Sequence, residues 1–467
     1  MAAEEFKKAV SGEELQLQQK EPITNPEDLL QSSLKALEKF GGFQLLKGLA
    51  KGMENMDPRR KAVKSIFLKE DAYKEMRDQL QKILARWVEV LESGETDPNV
   101  IIDSCRTKGD RAMANLSENL LCVHDRLKSL EISYRSLDAF FANAGHGKVN
   151  WLNLMNVGRD DKQLCKNDSE ETEAIRKELE KNHDNLNLKG NYSLLVIPGY
   201  LGDADIVRMW AKTANDNKVI LVTDFEDTMG KYDDLYLQLD KASLKGTDAF
   251  MGNVVMTVNY ILGRKKSETA REDDDLFIPA SGALAAKMSN VDDTVISQAI
   301  SGKKYGTLDN VKCARLNLAK SEIAALIDMG VVPIVESDGR TMAFSNRTLY
   351  TGATGGLREY SIVRIFDWIG KVLEQYANEH HGENWSSAVG EQIRSDVNDF
   401  LSECKRPETG LIESYKDLKV ESEDGNNIRI NVELKPFHAM ENFYIELTGK
   451  KEEAGYNWNS NAEVREK

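Results

Sequence analysis

At 467 residues the chain has room for about three domains, and its 41% apolar against 30% charged residues suits a globular protein with a real core. Sixty-two basic against 77 acidic residues leave a formal charge of −15, which argues against non-specific binding to nucleic acid or anionic membrane. No apolar run approaches the roughly 18 residues needed to span a bilayer.

In chain order, residues 1–24 are polar and rich in Gln and Glu, the composition of a disordered tail. They hold acids and lysines where a signal peptide needs an apolar stretch. A helical region is expected over 25–100. Asn25-Pro26-Glu27-Asp28 supplies an N-cap, a proline at the first helical position and first-turn acids. Leu30, Leu34 and Leu37 carry an apolar stripe to Phe40, and Gly41-Gly42 ends it. From Tyr73, the residues Met76, Leu80, Ile83, Leu84, Trp87, Val88 and Leu91 share one face of a second helix.

An α/β middle domain is expected over 101–270. It opens with a helix from Ala112 to Ala142, followed by VNWLNLMNV as a strand and a charged connector. YSLLVIPGYLGDADIVRMWAKTANDNKVILVTDF then reads strand, glycine-containing turn, helix, strand, a βαβ-like order. KKSETAREDDD reads as a linker and boundary. Residues 271–467 then contain an apolar strand (LFIPASGALA), a helix with Glu322 to Met329, a hairpin in VVPIVESDGRTMAF, and helices from Tyr360 to about Asn378 and from Trp385 to Cys404. The fold class is α/β (α+β): a helical N-terminal region, then α/β domains with mixed sheets.

The closing stretch alternates. Ile428, Ile430, Val432 and Leu434 interleave with polar residues, and Phe443, Ile445 and Leu447 resume the pattern after Pro436. A terminal strand tends to become a sheet edge, whose unpaired N–H and C=O groups invite another chain. Either the chain covers that edge itself or pairing is its purpose.

Chemistry-bearing patterns are sparse. The turn PGYLGD precedes a helix N-terminus, but Gly199 and Gly202 form neither G-x-G-x-x-G nor a Walker A loop, so a tight βα turn is the plain reading. Asp224, Glu226 and Asp227 follow a strand, a common place for catalytic or magnesium-binding carboxylates, and equally the look of a solvated loop. His380-His381 sits at a helix end with no ligand spacing to His438. The scattered cysteines Cys105, Cys122, Cys165, Cys313 and Cys404 form neither a disulfide framework nor a zinc site, and they suit reduced thiols in the cytoplasm. No catalytic constellation, cofactor site or metal site is expected.

Four stretches resemble contractile sheath proteins. EIAALIDMGVVPIVESDGRTMAFSNRTLYTGATGGLREYSIVRIFDWIGKVL is similar to the C-terminal domain of tail sheaths. Gly330, Gly339, Asn346-Arg347-Thr348-Leu349, Tyr360, Val363-Arg364 and Ile369 hold the matching positions. NDFLSECKRPETGLIESYK follows that family's pattern, and IPASGALAAKMSNVD resembles its segment "PPSG..AG…..D". Upstream, NLLCVHDRLKSLEISYRSLDAFF resembles the "H…F..LE..WRGL..L" stretch of the type VI secretion large sheath subunit, TssC or VipB. Leu130, Glu131, Arg135 and Leu137 match, whereas Tyr134 replaces Trp and Ser136 replaces Gly, as in a distant, Bacteroidetes-like branch.

The resemblance implies a structural subunit that pairs with a TssB-like small subunit. Such pairs stack with further copies into a helical tube on a baseplate, around an inner Hcp-like tube, and contract to propel it. It implies that Ile428, Ile430, Val432, Leu434, Phe443, Ile445 and Leu447 lie in sheets shared between subunits. It also implies recycling by a ClpV-like AAA+ ATPase gripping an N-terminal helix, for which Leu30, Leu34, Leu37 and Phe40 are the candidates. A phage-tail or extracellular injection sheath is the alternative reading, and an α/β enzyme using Asp224, Glu226 and Asp227 is the rival from another class.

Overall fold

A computed structural model describes residues 59, 66–67, 69–92, 97–145, 149, 151–158, 164–166, 169–185, 188–289, 295–406, 410–422, 427–440, 442–450 and 457–465. The chain divides into two units, residues 1–118 and 119–467. The expected helix carrying Leu30, Leu34, Leu37 and Phe40 lies outside the described residues.

In the first unit, helix α1 (Lys74–Leu91) is the amphipathic helix expected after Tyr73. Arg77 anchors it: its buried guanidinium donates to the carbonyls of Phe67 (2.6 Å) and Glu70 (2.7 Å). Of the expected stripe Leu84 is buried, while Met76, Ile83 and Trp87 stay exposed. Helix α2 (Pro98–Asn143) begins well before the expected Ala112. Asp97 accepts from the Asn99 amide at 2.9 Å, and Pro98 at the first helical position has no N–H to leave unsatisfied.

The second unit continues through α3 (Glu170–His183), β1 (Leu194–Ile197), α4 (Ala204–Asp216), β2 (Ile220–Asp224), α5 (Tyr232–Ala242), β3 (Val254–Val258), β4 (Ile261–Arg264) and β5 (Leu276–Ile278). Then come α6 (Ser281–Ser289), α7 (Gly302–Tyr305), α8 (Lys320–Asp328), β6 (Val332–Ser337), β7 (Arg340–Ala343), α9 (Tyr360–Glu379) and α10 (Ser387–Cys404). Four strands close it: β8 (Ile412–Ser422), β9 (Ile428–Pro436), β10 (Asn442–Lys450) and β11 (Asn457–Arg465).

Five strands form the central sheet in the order β1-β2-β3-β6-β7, parallel except for β7. Successive residues of β2 point to opposite faces. Leu221 enters a core with Trp210 of α4 and Leu235 of α5, while Ile220 and Val222 enter another with Leu284 of α6 and Tyr360 of α9. Both faces are therefore covered, which is why β2 and β3 read as nearly continuous apolar runs. The β6–β7 hairpin turns on Asp338-Gly339, both at positive φ (52° and 69°), the backbone a two-residue turn of this kind demands. Gly330 (φ 80°) closes α8, and a Cβ there would meet the Thr348 carbonyl oxygen at 2.7 Å.

Two expected strands differ. LFIPASGALA is a strand only over Leu276–Ile278, because Pro279 cannot donate to a ladder and Ser281 already opens α6. Residues 151–157 of VNWLNLMNV are in no strand. Alternation creates a ladder only where a second strand lies alongside. The expected linker Lys265–Asp275 joins β4 to β5, which pair with each other.

Candidate assembly interfaces

The closing strands form two separate antiparallel sheets, β8–β9 and β10–β11. Sequence reading misses β8, which lies in a charged stretch and breaks register at a bulge near Asp417 (φ 54°). It misses β11 as well, whose residues are mostly polar. Half of the β8–β9 sheet is intramolecular in purpose. Ile430, Val432 and Leu434 are half-buried against a cluster built from Ile365 and Ile369 of α9 and Ile393, Val397 and Leu401 of α10. The Tyr415 hydroxyl fastens β8 to α10 through the Asn398 side chain (2.9 Å). Ile428, at the start of β9, is exposed. Phe443, Ile445 and Leu447 lie in the other sheet, opposite Val464, Ala462 and Ser460. The seven residues expected in one interface thus divide between two sheets. Among the described residues neither sheet has a third strand, so every strand keeps one side without a neighbour.

Helix α2 offers a second surface. Within the second unit Leu120, Val123, Leu127, Leu130, Tyr134, Leu137 and Phe141 recur at alternating spacings of three and four, the heptad pattern of a coiled-coil seam. All are exposed except the half-buried Leu120, whereas Ser136, Ala139, Phe140 and Asn143 on the other side are buried. A count against the heptad template finds this seam in the sequence. That it is bare cannot be found that way.

The inner side of the same helix is held by ions. Arg264 of β4 makes two bidentate forks, to Glu131 (Nε–Oε1 2.7 Å, Nη2–Oε2 3.0 Å) and to Glu272 (Nη1–Oε2 2.6 Å, Nη2–Oε1 2.8 Å). Arg135 also donates to Glu131 (2.8 Å) and to the Gly263 carbonyl (3.1 Å). Arg264 holds the Glu272 carboxyl at about 2, and the Ser267 amide adds to the effect while burial opposes it. Arg264 and then Arg135 lower Glu131 in the same way, again against burial. A carboxylate depressed in the folded state contributes stability above its ordinary pKa and loses it as pH falls toward the folded value. Arg264→Met should therefore cost about 2–3 kcal/mol at neutral pH, since it takes the shared guanidinium from two largely buried carboxylates. That cost should shrink as pH falls from about 4.5 toward about 2, where the parent's Glu272 is protonated as well. Chemical denaturation at pH 7 and 3.5 measures both. Sequence reading notes Glu131 and Arg135 but misses Arg264 and Glu272, because no local signal links residues so far apart.

The three candidate carboxylates have different surroundings and share no partner. Asp224 is fully buried and accepts from the amides of Gly199 (2.8 Å), Ala280 (2.8 Å) and Ser281 (2.9 Å) and from the hydroxyls of Ser281 and Thr257. Burial pushes its pKa up, against the pull of donors from Gly199, Ser281 and Thr257. Glu226 is exposed, and Asp227 pairs with Arg315 (2.8 Å). The PGYLGD turn spends its Gly199 amide on Asp224, and Asp203 caps α4 through the Ile206 amide (2.9 Å). His380 pairs with Glu383 and His438 with Glu359. Among the described residues no three His, Cys, Asp or Glu are placed to hold a metal, and no helix is long and apolar enough to cross a membrane.

Family models cover almost all of this architecture. Residues 122–351 match the type VI secretion system TssC/VipB central domain, 30–120 the TssC/VipB-like N-terminal region, and 359–464 the TssC/VipB-like C-terminal domain. The chain belongs to the TssC/VipB family. No curated protein sequence matches it. Among solved structures, the contracted helical sheath of the anti-feeding prophage shares the fold, at 15% identity and a TM-score of 0.50 over 68% of this chain and 81% of that one. A chain of the anti-feeding prophage baseplate aligns at 14% identity and a TM-score of 0.41, over 53% of this chain and 65%, under two thirds, of that one. A sheath tail protein from Desulfitobacterium hafniense aligns at 11% identity and a TM-score of 0.38, over 63% of this chain and 60% of that one.

In this TssC/VipB chain the positions that carried the resemblance are structural. The Asn346 amide donates to Glu359 (3.1 Å) and Ser361 (2.9 Å), Thr348 to the Leu357 carbonyl (2.6 Å), and Leu349 is buried. Together they latch one loop onto the start of α9. The buried Tyr360 hydroxyl accepts from the Ile300 amide (2.9 Å), and Arg364 donates to the Met288 carbonyl (2.8 Å).

Proposed function

We propose that the chain assembles in the cytoplasm with a TssB-like small subunit into a contractile tube around Hcp-like rings on a baseplate. The observation that carries this reading is the pair of two-stranded sheets at the C-terminal end, each open on both sides. In it, strands that include Ile428, Ile430, Val432, Leu434, Phe443, Ile445 and Leu447 are extended by strands of adjoining subunits. Main-chain hydrogen bonds then supply the link and alternating side chains set the register. Subunits tied in this way can change their packing as rigid bodies without refolding. When the extended packing is metastable, contraction releases interface free energy summed over many subunits, and no nucleotide is spent in the stroke.

The α2 seam is assigned to a helix of the small subunit, since a regular 3–4 spacing is the complement of another helix. Co-expression with the small subunit should give sedimentable tubes. Leu127→Asp with Leu130→Asp should lower recovery of the small subunit about tenfold or more, with the melting temperature of the large chain unchanged. Equal recovery removes the seam from the interface. The segment with Leu30, Leu34, Leu37 and Phe40 is assigned to a ClpV-like ATPase. Deleting residues 1–40 should spare assembly and block ATP-driven disassembly, and lost assembly would make the segment structural instead.

A further inference from the structure

Residues 151–157, Trp-Leu-Asn-Leu-Met-Asn-Val, have the composition of a strand yet belong to none. Trp151, Leu152, Leu154 and Met155 are 66%, 44%, 59% and 45% exposed. Apolar residues fall on both sides of the alternation, the pattern of a strand covered on both faces. Among the described residues, no backbone N–H or C=O of 151–157 has a hydrogen-bond partner. Seven residues in strand conformation would present a main-chain edge about 23 Å long. The Asn153 side chain ties the segment to the unit, donating to the Tyr192 hydroxyl (3.3 Å) and to Glu178 (3.4 Å). A cavity of about 410 Å³ lies between it and Asn182, Asn185, Gly190 and Tyr192, with room for a side chain.

We infer that residues 151–157 are an incomplete strand, completed in the assembled particle by an extended segment of the companion subunit. Unspent main-chain groups specify the occupant's conformation: an added strand satisfies alternate N–H and C=O groups in series, and a helix, whose own groups are already paired, cannot. Antiparallel pairing with the same segment of a second copy would be a two-fold contact. Such a contact closes on itself and does not propagate along a tube of single polarity. The companion is favoured further because the seam assigned to it runs out at the exposed Phe141, ten residues before Trp151. The inference rests on the proposed pairing with a small subunit and adds a second, strand-type contact to it.

Single proline substitutions at adjacent positions, Leu154→Pro and Met155→Pro, test it. Neither removes an intrachain hydrogen bond, so each isolated chain should melt as the parent does. Only alternate amides of a strand point toward a given neighbour. One of the two prolines should therefore lower tube yield with the small subunit about tenfold and the other much less. Amide exchange across 151–157 should slow on the order of 100-fold between the isolated chain and the tube. Parent-like assembly of both variants, with unslowed exchange in parental tubes, overturns the inference and leaves the proposed function standing. Slowed exchange in the concentrated chain alone assigns the occupant to a second copy and also overturns it. If the parental chain forms no tubes, the reading beneath it fails instead.

Discussion

Ending the chain at Met440, which removes β10 and β11, should abolish tube formation while leaving the remaining fold intact. The β10–β11 sheet shares no ladder with another described strand, so its loss breaks none of their pairings. The cut also spares the contact of His438 with Glu359 (2.7 Å) at the start of α9. What disappears is the free edge of a nine-residue strand. A strand added to such an edge forms about four or five hydrogen bonds of ~1 kcal/mol net each. One subunit contact should thus weaken on the order of 1,000-fold, and a helical lattice repeats that loss at every subunit. High-speed pelleting and electron microscopy of the truncated chain with its companion measure the outcome, and thermal melting controls for folding. Tubes of ordinary length from the truncated chain would show that the hairpin plays no part in the lattice. Truncation is also a cleaner experiment than Ile430→Asp or Val432→Asp, because those side chains pack on the chain's own α9 and α10.

Asp224→Ala should leave the protein unable to fold, and Glu226→Ala should change nothing. Asp224 joins four segments that meet at the ends of the sheet strands: the β1–α4 turn, β2 itself, β3 and the start of α6. Alanine strands three buried amides that cannot turn away, at roughly 1–3 kcal/mol each. The total approaches the whole stability of a typical domain, about 5–15 kcal/mol. Glu226, two residues on, is exposed, so its removal should stay within ±0.5 kcal/mol, roughly the range of ordinary surface changes. Soluble yield and circular dichroism of the two variants separate these outcomes. A folded Asp224→Ala chain would refute the structural account of this carboxylate and reopen a chemical one.

Several elements were legible from the residues alone. The βαβ order around PGYLGD, the Asp-Gly hairpin and the helices α1, α9 and α10 follow from local rules: apolar period, capping and turn chemistry. The sheath resemblance was legible for a related reason. Gly330, Asn346, Thr348 and Tyr360 each meet one narrow steric or hydrogen-bonding demand, and such demands leave a sequence mark.

Other features were settled only by the assembled fold. Val149–Val157 and Ile428–Leu434 both have the composition of strands, yet the described part of one has no ladder and the other lies on two helices with an edge left open. Periodicity states which residues share a face, and says nothing about what lies opposite. Likewise Arg264 meets Glu131 across 133 positions of chain, a closeness that only folding creates. The sequence thus determined those elements whose signals are local, and their faces. Tertiary structure decided which faces are already occupied and which await another chain, because occupancy depends on neighbours brought near by the path of the whole polypeptide.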